Sequence, residues 1–379
     1  MNRFYNPVSI YFGNDSLGEC TADLKERFSH IRRVLILTRG GGVEATESLA
    51  PILSLFAGKE GRFLEAAFYN PNIKDIYNLL QQVDSFPYEL IVAIGGGSVM
   101  DSAKALTALQ HMEISTPADI REVIMGEKYA EKSSFTPWIG LPTTSGTGSE
   151  VTSWATVWDE ELGCKYSVAD RRLFAKAAII LPELTLTMPL RLSVATGLDA
   201  LCHATEAYWS VQSNPFSRAF ALQAIERIRA WLPRLKREPS DLARREQLSL
   251  GSVLAGLAFS NTKTTACHSI SYPLTLLYGI DHGIAASLTL SSVLRHNYSK
   301  IVEPEKLLRA FGAEDADGVD RFLRTVYEMY DLPGNLGAYG VTKESIPMIV
   351  SHAYTKGRMD NNPVPIKAEE LDLMLASLL

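Results

Sequence analysis

Asp199 and His203 stand four residues apart in Gly197-Leu198-Asp199-Ala200-Leu201-Cys202-His203-Ala204-Thr205-Glu206, a spacing that stacks a carboxylate and an imidazole on one helix face. His268 lies in Thr264-Thr265-Ala266-Cys267-His268-Ser269, and His282 follows fourteen residues later in Ile280-Asp281-His282-Gly283. One oxygen and three nitrogen donors suit a divalent transition ion, Fe2+ or Zn2+, with a coordination position left open. Each residue alone has a plainer reading: a histidine in an apolar segment is ordinarily a hydrogen-bonded core residue, Asp199 can cap a helix, and His282 can occupy a turn. His30, His111, His296 and His352 keep that plainer reading. Cys202 and Cys267 directly precede two of the donors, but helix neighbours point about 100° apart, so they read as small apolar fillers.

A second chemistry is written in glycines. Leu90-Ile91-Val92-Ala93-Ile94 runs into Gly95-Gly96-Gly97-Ser98, and a helical pattern follows through Val99, Met100, Ala103 and Leu106. Glycines let backbone amides approach an anion, and the positive end of the next helix attracts it, so a pyrophosphate suits the turn. Asp101 falls in the first helical turn, where it caps the helix or meets a cofactor hydroxyl. The run departs from GxGxxG and by itself equally describes a ligand-free turn. The balance shifts with Pro142-Thr143-Thr144-Ser145-Gly146-Thr147-Gly148-Ser149-Glu150, dense in hydroxyls and again placed after a strand candidate. Two such loops at strand ends of one sheet suit a nucleotide.

The elements that must position these groups fall into two textures. Arg33–Thr38, Leu90–Ile94, Trp138–Leu141 and Ala177–Leu181 are β-branched or apolar runs separated by helical patterns, the signature of a parallel α/β sheet. After Leu186 the apolar residues recur at three and four spacings, as in 215–232, 242–258, 284–294 and 319–330. We therefore expect an α/β Rossmann-like domain over 1–186 and an all-α helical-bundle domain over 187–379. With 37 basic against 43 acidic residues, a net charge of −6, and 46% hydrophobic residues, the chain is neither disordered nor a polybasic nucleic-acid binder. Its four cysteines form no CxxC pair and read as reduced thiols. The opening Met1-Asn2-Arg3-Phe4-Tyr5 has no basic stretch leading into an apolar core, and no window approaches the ~20 apolar residues of a membrane span. The expectation is a cytoplasmic protein that binds neither nucleic acid nor membrane.

At this point the residues resemble the iron-containing (group III) alcohol dehydrogenases. The matching motifs are GGGSxxDxAK at Gly95 to Lys104, PTTSGTGSEVT at Pro142 to Thr152, PELTLTMP at Pro182 to Pro189, GLDALCHATEAY at Gly197 to Tyr208, and the interval from His268 to His282. The resemblance implies a nicotinamide dinucleotide on the N-terminal domain and a metal on the helical one, with Asp199, His203, His268 and His282 as ligands. It carries Gly96, Gly97, Ser98, Asp101, Thr143, Thr144, Thr147, Ser149, Val151 and Lys165 over as cofactor contacts, and places Asn70 near the adenosine ribose. It also implies a homodimer or larger homo-oligomer.

Two departures from the family pattern matter. Where many relatives have Asp after the strand-end Thr, this chain has Arg39; a cation there attracts a 2′-phosphate, so NADP(H) is expected over NAD(H). Four residues beyond His268, where many relatives have another histidine, stands Tyr272, a phenol that can pass a proton or simply pack. The stretch Lys263 to Thr275 looks most like the branch reducing phosphonoacetaldehyde to 2-hydroxyethylphosphonate. Lys263 is the expected cation for the phosphonate, and Arg171 and Arg172 are candidates for a second contact. Alternatives are a general short-chain alcohol or diol dehydrogenase such as a lactaldehyde reductase, a lyase like dehydroquinate synthase, and a noncatalytic nucleotide sensor.

Overall fold

The computed structural model describes residues 3–379, with Glu44 described by its backbone alone. Met1 and Asn2, the start of the stretch read above for a leader, lie outside the described residues. Two compact units emerge. One comprises Asn6–Thr144 and Ser149–Thr185; the other comprises Leu186–Leu379 together with Ser145–Gly148 and the N-terminal residues up to Tyr5.

The first unit holds strands β1 (Ser9–Phe12), β2 (Arg33–Thr38), β3 (Glu60–Glu65), β4 (Leu90–Gly95), β5 (Trp138–Pro142), β6 (Trp154–Asp159), β7 (Cys164–Ala169) and β8 (Ala177–Ile180). Its helices are α1 (Leu17–Arg27), α2 (Ala50–Ser54), α3 (Ile73–Val83), α4 (Gly97–Leu109) and α5 (Pro117–Met125). Six strands form a parallel sheet in the order β1-β8-β5-β4-β2-β3, and β6 pairs antiparallel with β7. Alternation of side chains along each strand splits the core in two. Leu35, Leu37, Ile91 and Ala93 face α3, α4 and α5 on one side, while Val34, Ile36, Leu90, Val92 and Ile94 meet α1 and α2 on the other. Burial on both faces explains why the central strands read as continuous apolar runs. Chain order reverses between β2 and β4, so the crevice at their carboxyl ends is where such a sheet takes ligands.

The second unit is built from α6 (Leu190–Trp209), α7 (Pro215–Trp231), α8 (Leu242–Thr262), α9 (Ala266–Tyr278), α10 (His282–Asn297), α11 (Pro304–Ala310), α12 (Ala316–Met329), α13 (Ile346–His352) and α14 (Ala368–Ala376). α6 is buried almost along its whole length, packed by α7, α8 and α10, which accounts for apolar residues on all its faces. Asn214 caps α7 by accepting from Phe216 N and Ser217 N at 3.0 and 3.1 Å. Among the described residues no helix is long and apolar enough to cross a membrane.

Candidate metal and dinucleotide sites

Three helices bring the metal-type donors together. Asp199 sits midway along α6, His268 in the first turn of α9, and His282 opens α10. The close approach of α10 to α6 depends on Gly283, where an added Cβ would lie 2.0 Å from the Ala195 carbonyl oxygen and 2.7 Å from Asp199 Cβ. As a result Asp199, His268 and His282 each present a ligand atom within 4.8 Å of the others. His203 lies beside them rather than within that triangle: its Nδ1 is 3.9 Å from Asp199 Oδ2, buried and without a hydrogen-bond partner. Its ring is stacked between Phe259 and His268, at centroid distances of 4.1 and 4.3 Å.

The imidazoles are held from behind. Glu206, one turn past His203 and fully buried, pairs through Oε2 with His268 Nδ1, while Oε1 accepts from Thr265 Oγ1 at 2.8 Å and Cys267 N at 2.7 Å. A carboxylate on Nδ1 leaves Nε2, 3.3 Å from Asp199 Oδ1, facing the cluster. Ser271 Oγ donates to His268 O at 2.8 Å and lies 3.3 Å from His282 Nδ1. That oxygen thus accepts the Nδ1 proton and leaves the His282 Nε2 lone pair available. Glu206 is a residue that the sequence reading did not single out. Its signal was a carboxylate three residues beyond His203 in a helix segment otherwise almost free of charge.

Electrostatics follow from burial and mutual charge. Burial pushes the His203 imidazole down to about 4, keeping it neutral. Burial also acts to lower His268, but Glu206 and Asp199 outweigh it and raise the group to about 9. Burial would raise Asp199, yet the three histidines hold its carboxyl well below the usual range. The Cys202 and Cys267 thiols are pushed far up by burial, as fits apolar fillers.

In the sheet unit, Gly96 caps α4 and Gly97 and Ser98 form its first turn, so free amides point out past the end of β4. Asn70, at φ +51°, donates its backbone N–H to Ser98 Oγ at 3.2 Å. Thr143 N donates to Gly95 O at 3.0 Å, and Thr144 lies against Gly96. Both Asp101 oxygens are engaged within the protein, accepting from Ser149 Oγ at 2.6 Å and Thr156 N at 2.9 Å. Asp101 therefore braces the loop rather than ending in open space. Val151 is buried, its carbonyl accepting from Asn6 Nδ2, and Lys165 lies on β7 opposite Trp158. Arg39 follows β2, exposed, with its guanidinium 3.0 Å from Tyr69 Oη and over that ring. Thr147 belongs with Ser145–Gly148 to the helical unit.

Tyr272 and Lys263 are both in the helical unit. Tyr272 is buried on α9, its ring parallel to His282 at 5.7 Å, and burial raises its pKa. Lys263 ends α8. Arg172 is bound to Asp170 and to the Ala130 and Lys132 carbonyls, a structural clasp within the sheet unit.

Comparison with known proteins agrees across the chain. Residues 7–182 match the family described as iron-containing alcohol dehydrogenase, and residues 193–379 match the C-terminal Fe-containing alcohol dehydrogenase family. Alcohol dehydrogenase 4 of Saccharomyces cerevisiae is 30% identical over 378 residues, covering 97% of this chain and 96% of the yeast protein. Phosphonoacetaldehyde reductase of Streptomyces viridochromogenes is 37% identical over 226 residues, 58% of this chain and 56% of that protein. The crystal structure of sulfoacetaldehyde reductase from Bifidobacterium kashiwanohense in complex with NAD+ superposes with a TM-score of 0.86 at 28% identity, covering 100% of this chain and 98% of that one.

Proposed function

Since the chain belongs to the iron-containing alcohol dehydrogenase family, whose members are NAD(P)-dependent oxidoreductases, we propose that it reduces phosphonoacetaldehyde to 2-hydroxyethylphosphonate with NADPH in the cytoplasm. The observation that carries the reading is the meeting of buried Asp199 and His268 with half-buried His282 within 4.8 Å. The donor set fits a divalent ion: one carboxylate and two imidazoles converge, each histidine has its other nitrogen engaged, and the orphaned His203 Nδ1 offers a fourth donor nearby. The turn at Gly95–Ser98 and the α4 amides fit a pyrophosphate.

A divalent ion held there supplies Lewis acidity to a carbonyl oxygen, and a reduced nicotinamide supplies the hydride. The chain's own side chains do the rest. Glu206 fixes the tautomer and aim of His268, and Ser271 does the same for His282. Phe259 and the walls of α6, α9 and α10 exclude water and so strengthen every charge in the site. Tyr272, whose ring lies parallel to His282 at 5.7 Å, carries a phenolic proton at neutral pH and is placed to return a proton as the aldehyde accepts hydride. Arg39 offers its guanidinium to a 2′-phosphate.

The test is an anaerobic reductase assay on metal-assayed protein, with NADPH and NADH against phosphonoacetaldehyde and a panel of uncharged aldehydes. We expect the highest kcat/KM for phosphonoacetaldehyde with NADPH. A tenfold or greater preference for NADH would overturn the coenzyme reading, and higher kcat/KM for lactaldehyde or other uncharged aldehydes would overturn the substrate.

A further inference from the structure

Lys263 has backbone angles of φ +59° and ψ −179°, a region that glycine adopts freely and side-chain-bearing residues avoid. The conformation is over-determined. Lys263 N donates to Phe259 O at 2.7 Å, Thr262 Oγ1 donates to Lys263 O at 3.0 Å, and Asn361 Nδ2 donates to the Thr262 and Thr264 carbonyls at 2.7 and 2.9 Å. The fold thus holds a lysine where glycine would be relaxed, which directs attention to what its side chain does.

The ammonium lies against the turn that carries a second cation. A Cβ on Gly357 would lie 3.9 Å from Lys263 Nζ, and the next residue is Arg358, half-buried. This turn is fastened to α9, the helix bearing His268: Ser269 Oγ donates to Ala353 O and accepts from Thr355 N, and Arg358 N donates to Thr355 O at 3.1 Å. Arg358 and Thr264 hydrogen-bond Tyr272, whose ring is stacked on His282. Two cations from distant segments are therefore brought to one turn, and Arg358 is linked through Tyr272 to His282. Burial and then Arg358 lower the Lys263 pKa, with Asp360 acting in the opposite sense, and Lys263 still keeps a solvent-open face. Neighbouring like charges repel until an anion lies between them.

We propose that Lys263 and Arg358 form one anion-binding subsite that takes the tetrahedral oxyanion of the substrate, a phosphonate, while its carbonyl lies at the Asp199–His268–His282 cluster. Arg358 shares the helical unit with Lys263 and is its partner here, while Arg172 is committed to Asp170. Tyr272 meets both Arg358 and His282, so anion and carbonyl belong to one short molecule. This inference rests on the reductase reading and adds the residues that set its substrate class.

The experiment uses metal-loaded wild type, Lys263→Gly and Arg358→Gln. It measures kcat/KM for phosphonoacetaldehyde, sulfoacetaldehyde and propionaldehyde, and the calorimetric Kd of the unreactive ethylphosphonate. Each variant should lower the phosphonoacetaldehyde-to-propionaldehyde ratio by roughly 30-fold or more, weaken ethylphosphonate in parallel, and affect the monoanionic sulfonate less. Lys263→Gly should melt no lower than wild type, since it relieves the backbone. Ratios within threefold of wild type and unchanged ethylphosphonate binding in both variants would overturn the subsite, and a loss confined to the sulfonate would overturn the phosphonate assignment. Should wild type reduce no aldehyde with either coenzyme, yet bind ethylphosphonate through both cations, the reductase reading falls and the subsite stands.

Discussion

Glu206 reaches no substrate, yet the aim of His268 depends on it. Its two oxygens are shared among the imidazole Nδ1, the Thr265 hydroxyl and the Cys267 amide. Carboxylates behind ligating histidines typically contribute about 10- to 100-fold in metal affinity. Glu206→Gln, which keeps the shape, should therefore weaken Zn2+ and Fe2+ binding by about that factor in competition with a chromophoric chelator while the far-ultraviolet dichroism stays unchanged. Affinity equal to wild type would show that Glu206 only packs. At this scale the sequence made donor chemistry legible, because carboxylates and imidazoles at helical spacing are few. It did not show Glu206 or Arg358 as partners. A carboxylate within a helix and a guanidinium in a charged loop acquire meaning only from what the fold brings against them, and the strained backbone of Lys263 has no one-dimensional signature.

α4 carries the glycine turn, and Lys104 anchors it. Fully buried, its ammonium donates to Ser149 Oγ, Thr152 Oγ1 and the Trp154 carbonyl at 2.7, 3.0 and 2.7 Å, with Asp101 at 3.6 Å. Burial, partly opposed by Asp101 and Glu150, pushes its pKa down to about 8. The folded chain then releases this proton before the unfolded chain does, so between about pH 8 and 10 the unfolded state binds more protons and stability rises with pH. The rise is at most about 1.4 kcal/mol per unit for one such group, and below pH 8 the contribution is flat. Lys132, also pushed down to about 8, acts in the same sense. The buried thiols, pushed far up, act in the opposite sense, so the test is the difference: between pH 7.5 and 9.5 the urea midpoint of wild type should gain on that of Lys104→Met as pH rises, and parallel curves would reject the assignment. The strands that the sequence revealed, β2, β4, β5 and β8, are the four interior strands of the sheet. β1 and β3 lie at its edges: β3 turns Glu60, Gly61 and Glu65 to water and keeps no apolar run, and β1 is only four half-buried residues long, too short to stand out. The β6–β7 pair, interrupted by polar residues, was likewise not visible.

For the whole molecule, the donors are confined to the helical unit. An ion that binds the folded form alone stabilises it by about 2.7 kcal/mol at a hundredfold excess over Kd. Chelation should consequently lower hydrogen-exchange protection in α6, α9 and α10 and leave β2, β4 and β5 as they were, read by mass spectrometry before and after metal is restored. Equal loss in both units, or none, would refute a metal centre confined to one of them. The two textures of the chain were legible because parallel strands and bundle helices have different apolar periods. The excursion of four residues from one unit into the other was not, since nothing in Ser145-Gly146-Thr147-Gly148 marks it.

That excursion constrains how the gene can be divided. Gly146 and Gly148 nestle against α6 and α8, where a methyl group would lie 2.4 Å from Thr196 and 2.6 Å from Gly256, and Gly148 has φ +58°. A polypeptide severed at residue 186 takes these glycines away with the wrong half: the downstream fragment is left with an unfilled notch, and the upstream fragment with a small docking tongue and nowhere to put it. Recombination between relatives at that point should work only when both pieces descend from parents whose tongue and notch still match.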